Sequence, residues 1–442
     1  RFEDQDLTSF SGLVFFHKLL LKLGVKDRLR ACVRHLNSTA SYAPATLLLL
    51  LVAHLALGWR RLRDLDYYRK DPLVLRLLGL RRLPDVSTLT RGLHGMDQGV
   101  VEGHAELNRS LVLSRVLSLG SQAVTLDFDG SVLSTKSRGT EGTAVGFNKK
   151  SKGQRSYYPL LATVAQTGQV LDVLHRPGNV HDSQQAVAFA ESCLHTVRDA
   201  GFGGRLEARL DSAHFSDRMC FRLNDEGIEF SISVPFERFA ELKELIENRR
   251  RWRRIDETWS YFECDWLPKS WRGIRGARQL RVLLYRQRVK TPRQGPIQLD
   301  LFVPIDRHYE FKVVITNKCC SPRGVLLFHH GRGSQEGVFA ELKSQAAADY
   351  IPTRRLLANQ LYLQSAILAL NLHRELQMQL LPPPRRNTLK RACLWTFERI
   401  GTFRKRLVQR AGRLTRPGGV LTLTVAGDRS TEAEFLQCLA GL

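Results

Sequence analysis

The sequence predicts an α/β fold in which a mixed sheet follows a helical region and is split by a β-rich insertion. Three observations carry this reading. Apolar residues recur at helical spacing over residues 1–115, and the period changes to two from about 121. The strand pattern then breaks over 236–308 and resumes in FKVVITN (311–317).

In the helical region, residues 9–23, 45–57 and 73–80 carry leucine-rich faces, with Gly24 and Gly58 as stops. PDVSTLTRGL (84–93) reads as a turn entering a helix. Beside Arg81 and Arg82, and carrying Arg91, that helix suits a DNA groove. In AVTLDFDGS (123–131), Val124, Leu126 and Phe128 alternate with Thr125, Asp127 and Asp129. A loop rich in glycine and lysine follows, with Lys149, Lys150, Lys152 and Arg155. YYPLLATVAQ (157–166) and QVLDVLHR (169–176) make a hairpin across Thr167-Gly168. A helix over 182–196, a strand over 206–211, a helix over 215–225 and a strand over 229–234 complete the order β-β-β-α-β-α-β.

The interrupting stretch holds RRRWRR (249–254) and Trp259, Trp266 and Trp271. After strand 311–317 comes a helix with Glu336, then a long apolar helix, 356–381, stopped by three prolines at 382–384. The tail is basic (Arg385, Arg386, Lys390, Arg404, Lys405, Arg406) and finishes on a short strand, GVLTLTV. The expected divisions are a helical DNA-binding region at 1–115, a core at 116–235 and 309–384, an insertion at 236–308 and a basic region at 385–442.

Composition narrows the function classes. The chain has 442 residues, 43% of them hydrophobic and 25% charged, which is ordinary for a folded soluble protein. Its 67 Lys+Arg against 43 Asp+Glu give a net charge of +24. Such a surface attracts polyanions, nucleic acid foremost. The size and folded composition argue against a ribosomal or membrane-surface protein. Eight cysteines without a CxxC pair predict free thiols in a reducing compartment. The apolar run 44–59 is short and broken by His54, so it predicts a buried helix rather than a membrane span. No signal-peptide pattern opens the chain, and the start at Arg1 predicts a missing N-terminal piece. GTEGTAVGFNKKSKG lacks the Gly-Lys-Ser/Thr ending of a P-loop, and no HExxH spacing occurs.

The chemistry lies in three acids. In GRGSQEGVFAELK, Arg332, Glu336 and Lys343 stand four and seven apart, so on a helix they share one face within roughly 40°. Asp129 and Asp211 each end an apolar strand. Cutting or joining a phosphodiester calls for two divalent ions about 3.5–4 Å apart, held by carboxylates. Mg²⁺ and Mn²⁺ prefer such oxygen ligands and keep several waters. Arg332 and Lys343 then stand where phosphates pass. Singly, a strand-end aspartate is a turn former and an Arg–Glu pair a solvated ion pair; jointly they form a site. Asp127 competes with Asp129, which the following Gly130-Ser131 places at the strand's mouth. His181 and His214 lie near the expected site.

On these residues the chain resembles a DDE transposase of a bacterial insertion sequence. Asp129-Gly130-Ser131 matches the family's first motif and Arg209-Leu210-Asp211 its second. Arg332, Glu336 and Lys343 match the third, whose leading tyrosine is His329 here. YYPLLA and RPGNVHD resemble the family's second and third strands, and the likeness spans about 120–380.

The resemblance implies an RNase H-like core, a mixed five-stranded sheet flanked by helices, with a β-rich insertion before the glutamate. It implies Asp129, Asp211 and Glu336 as catalytic metal ligands for two Mg²⁺, with Mn²⁺ as substitute. DNA would be held by Arg332, Lys343, Arg91, Lys149, Lys150, Arg250, Arg251, Trp252 and Arg253. The implied partners are the double-stranded inverted-repeat ends of the element, the target DNA and a second subunit, with no membrane. The implied setting is the bacterial cytoplasm, at the nucleoid. Excision through a DNA hairpin would use a tryptophan stacked on a flipped base, from among Trp252, Trp259, Trp266 and Trp271. The competing readings are an RNase H-like nuclease that does not join ends and a non-catalytic DNA-binding relative.

Overall fold

The computed structural model describes residues 6–36, 41–146, 148, 151–181, 185–289, 308–380 and 392–442. Lys149, Lys150, Arg385, Arg386, Lys390 and the first residues of the helix expected from 182 lie outside these.

Nine strands form the central sheet: β1 (Ala123–Gly130), β2 (Leu160–Val164), β3 (Gln169–Leu174), β4 (Arg205–Leu210), β5 (Glu229–Val234), β6 (Arg253–Arg254), β7 (Trp259–Cys264), β8 (Arg281–Arg288) and β9 (Tyr309–Thr316). Across the sheet they run β6-β7-β8-β9-β5-β4-β1-β2-β3. β1 is parallel to β4, and β4 to β5, while β1, β2 and β3 form an antiparallel meander. This half has the strand order of an RNase H-like core.

The other half extends the five core strands to a sheet of nine. The inserted strands do not close on themselves. β9 runs antiparallel along β5, and β8, β7 and β6 continue beyond it. An open β5 edge would leave a row of N–H and C=O groups unpaired; β9, the first strand after the insertion, covers it.

β1 buries Val124, Leu126 and Phe128 on one face, as its alternation predicts, but Thr125 and Asp127 are equally buried on the other. A central strand with parallel pairing is covered on both faces. The first of the two tyrosines of YYPLLA belongs elsewhere: Arg155–Tyr157 pairs with Leu133–Thr135 and Ala144–Val145 in a small separate sheet. Gly168 turns the β2–β3 hairpin at φ +62°.

The N-terminal helices are α1 (Leu13–Lys22), α2 (Val25–Cys32), α3 (Pro44–Ala56), α4 (Pro72–Leu78), α5 (Val86–His94) and α6 (Gln98–Ser118). Four more accompany the sheet: α7 (Ala186–Asp199), α8 (Asp217–Asp225), α9 (Ala240–Glu247) and α10 (Pro322–His330). α11 (Ser334–Ser344) and α12 (Leu356–Leu380) follow. Every residue of α12 from Leu361 to Met378 is buried. It is enclosed by α3 and α6 on one side and by β3 and α11 on another. Asn371 fixes it to the sheet edge: its Oδ1 accepts the Val170 N–H at 2.9 Å and its Nδ2 donates to the Val170 carbonyl at 2.8 Å. One apolar core therefore runs from α1 through the sheet to the C-terminal region.

Thr422–Val425 is the expected last strand, and it pairs with Gly412–Thr415, which pairs with Leu7–Thr8. The chain does not stop there. A helix, Arg429–Gly441, follows, started by Asp428, whose side chain accepts the Thr431 N–H. Among the described residues no helix is long and apolar enough to cross a membrane.

Candidate active site

The pairing of β1 with β4 sets Phe128 opposite Leu210, so Asp129 and Asp211 follow at the same end of adjacent parallel strands. Their environments differ from that of Asp127. Asp127 is 1% exposed and locked: Arg209 Nε and Nη2 donate to its two oxygens at 2.6 and 2.7 Å. Asp129 is open to solvent, its side chain 23% exposed. Its Oδ1 accepts the Gly130 N–H at 2.8 Å and its Oδ2 accepts Arg332 Nη1 at 3.1 Å. Burial and then the charge of Asp211 push the Asp129 carboxyl up to about 6, against the pull of Arg332. Asp211 Oδ1 accepts the Ala213 N–H at 3.0 Å, and His214 Nε2 stands 3.8 Å from it.

The third arm is one helical run, 322–344, with a 3₁₀ turn at Gly331–Gly333 between α10 and α11. Its buried side holds Gln335, Val338 and Leu342. Gln335 Nε2 donates to the Asp127 carbonyl at 2.9 Å, which seats the helix on β1. Arg332 and Lys343 flank that side and both reach the mouth of β1, Lys343 Nζ donating to the Val132 carbonyl at 3.2 Å. Glu336 lies between them, exposed and without a hydrogen bond or ion pair to either aspartate. Among the described residues no three His, Cys, Asp or Glu side chains cluster closely enough to hold a metal. The two aspartates by themselves suit a hard divalent ion: oxygen donors whose mutual repulsion a cation relieves.

His329, at the tyrosine place, is buried against β5. Its Nδ1 meets Ser231 Oγ at 2.9 Å and its Nε2 meets Ser233 Oγ at 2.8 Å. Burial, with Lys312 and Arg332 nearby, holds its pKa well below the usual histidine range, so it is a neutral peg between α10 and the sheet.

Three residues escaped sequence reasoning. Arg209 ties β1 to the end of α10, since its Nη1 donates to the Phe328 carbonyl at 3.0 Å. Lys312 of β9 stands near Arg332, and burial followed by that charge lowers its pKa. The signal was a lysine inside an apolar strand. Tyr158 lies so close over Gly130 that a Cβ there would meet its ring at 2.5 Å. A side chain there would have to push that ring aside.

The outlying candidates divide. Arg91, Arg250, Arg251 and Arg253 are exposed. Trp252 is half-buried, its ring covered by Phe262 at 4.7 Å and the Arg286 guanidinium at 4.7 Å. Trp266 and Trp271 are buried against Phe239 and Phe215. Trp259, half-buried, meets His330 at 4.9 Å, two residues from Arg332. In the basic tail, Arg404 is not a surface cation. It is buried, donating to the carbonyls of Ala56 at 2.9 Å and Gln345 at 2.8 Å, where the helices end. Arg406 is held by Glu398 and Glu434.

No curated protein matches the sequence. Among solved structures, the chain is similar to a piggyBac transposase in a synaptic complex with hairpin DNA. Identity there is 11%, covering 82% of this chain and 74% of that one, with a TM-score of 0.44. It is also similar to the Mos1 transposase in a paired-end complex with the left transposon end. Identity is again 11%, over 44% of this chain and 60% of that one, with a TM-score of 0.18. A family model described as "Transposase DDE domain group 1" matches residues 1–442. The match runs the length of the chain, and the protein belongs to this family of DDE-domain transposases.

Proposed function

We propose that the protein excises and inserts its own DNA element by divalent-metal-dependent strand cleavage and strand transfer. The observation that carries this is the Asp129–Asp211 pair at the ends of parallel strands, with Arg332 on Asp129. In this reading Asp129, Asp211 and Glu336 hold Mg²⁺, or Mn²⁺ in its place. The bound ions would activate water or a 3′-OH and neutralise charge at the leaving oxygen. Arg332, paired with Asp129 at 3.1 Å, would be free for a DNA phosphate with that carboxylate engaged by Mg²⁺. Lys343 and Lys312 add positive charge along the same path. Arg91, Arg250, Arg251 and Arg253 hold the flanking duplex of the inverted-repeat ends and target, and two subunits pair the two ends. Lys149 and Lys150, outside the described residues, are proposed as DNA contacts on their sequence alone.

Hairpin excision needs an aromatic ring beside the acids. Trp259 is better placed than Trp252, because it stands against His330 while the Trp252 ring is covered.

The test is cleavage of an end-bearing duplex with Mg²⁺. Asp211→Asn and Glu336→Gln should lower the rate at least a thousandfold and keep end binding; excision at the wild-type rate in either variant sinks the assignment. A pre-cut end separates transposase from nuclease, since joined product is expected and cleavage alone favours the nuclease. With 2-aminopurine at the flipped position, Trp259→Ala should abolish the fluorescence change and Trp252→Ala should retain it.

A further inference from the structure

Beside α11 lies a cavity of about 450 Å³ whose lining includes neither Asp129 nor Glu336. Its walls are α11, the turn at Gly168, α12 and the segment 393–399. Arg374 of α12 is 5% exposed there. Its Nη2 donates to Glu341, and its guanidinium lies 4.3 Å from the centre of the Phe397 ring. Its Nε and Nη1 have no partner among the described residues. The other oxygen of Glu341 accepts the Ile400 N–H at 3.1 Å. Gln335, 1% exposed, also lines the cavity. Its Nε2 is engaged by Asp127 and Thr163, and its Oε1 has no partner among the described residues.

Buried donors of a charged group are costly to leave unmatched, and folded proteins match them with water or ligand. The charge balance favours an anion over water alone. Arg374 and the exposed Arg399 at the wall oppose one carboxylate, Glu341, since Asp127 is already neutralised by Arg209. A fixed guanidinium with free N–H groups is a phosphate partner, and Gln335 Oε1 suits the hydroxyl of a monoprotonated phosphate.

We propose that this cavity is a binding site for a phosphate-class anion, set against the helix that carries Glu336. Gln335 and Glu341 line the cavity from α11 and Glu336 does not, so occupation fixes the orientation of the helix. The phosphoryl group has two sources, free inorganic phosphate or a backbone phosphate of DNA. The inference rests on the cavity and on Arg374, independently of the metal reading.

Equilibrium dialysis of the full chain against labelled inorganic phosphate, at constant ionic strength, tests it. One saturable site is expected, weakened at least tenfold by Arg399→Ala and by Ser344→Glu, which adds a repelling charge at the cavity wall, and lost in Arg374→Gln. Arg374→Gln strands the Glu341 carboxylate, so its folding is checked by circular dichroism, and the other two variants decide if it does not fold. If free phosphate does not bind, but ethylating one DNA phosphate weakens end binding in the wild type and not in Arg399→Ala, the group comes from DNA. Absence of both effects, or phosphate binding that every variant retains, overturns the proposal. A protein that binds phosphate in this way yet cleaves with Glu336→Gln would lose the metal assignment and keep this one.

Discussion

Two aspartates two residues apart on β1 are held differently, Asp127 sealed by Arg209 and Asp129 partly open to solvent. Asp129 titrates at about 6 when folded, against roughly 3.9 for an unfolded aspartate. The folded, metal-free protein therefore binds this proton more tightly than the unfolded chain. The associated stability is fully present below about pH 4 and is lost as pH rises through about 6. At neutral pH the ionised carboxylate opposes folding by about 1–3 kcal/mol. Asp129→Asn should therefore stabilise the metal-free protein by that order at neutral pH and change little near pH 4, while abolishing cleavage. Asp127→Asn should destabilise the fold instead. It leaves the Arg209 charge buried and half-paired, at a cost of about 3–5 kcal/mol. Urea melts of the two variants check both, and equal destabilisation would reverse the roles assigned to them. The sequence placed both acids on one face of a strand. Which of them is sealed by an arginine 82 positions away depends on the β1–β4 register.

At the scale of the element, the run 322–344 is held from behind by His329 on β5, Arg209 on the Phe328 carbonyl and Gln335 on β1. Gly331 is where that support comes nearest, since a Cβ there would stand 2.0 Å from Arg209 Nη1. Gly331→Ala should cost about 1–3 kcal/mol by overpacking and reduce cleavage further by displacing Arg332 and Glu336. Gly333, with nothing within 4 Å of its Cβ position, is the control, and Gly333→Ala should leave the melting midpoint unchanged. Thermal melts and the cleavage assay read both. The Arg–Glu–Lys spacing was legible because a helix converts sequence intervals into a face. The destination of β7 and β8 was not, because an alternating strand fits an edge of its own sheet as well as the edge of another.

For the whole molecule, the fully buried α12 makes the N-terminal helices part of the catalytic core's support. A fragment beginning at 116 would expose the apolar face that α3 and α6 cover. It should lack a cooperative thermal transition and precipitate, as followed by calorimetry and light scattering; a soluble, cleavage-competent fragment would show the helical region to be separable. The net charge of +24 makes DNA binding steeply salt-dependent. With about 6–10 phosphate contacts, affinity for end DNA should fall about 10³–10⁵-fold between roughly 50 and 200 mM salt. Fluorescence anisotropy measures the slope, and a flat profile would mean that the basic surface does not meet the backbone.

The sequence by itself determined the β-β-β-α-β-α-β order of the central sheet over 123–234, the acids at the ends of β1 and β4, and the spacing that puts Arg332, Glu336 and Lys343 on one helical face. Each is a local consequence of side-chain period and spacing. Only the tertiary structure decided that Asp127 is sealed by Arg209, that Arg404 is buried at two helix ends, and that the insertion extends the sheet. It alone brought Arg374 to a cavity beside α11. These depend on pairings between residues far apart in the chain, where burial and register, rather than any local pattern, select the partner.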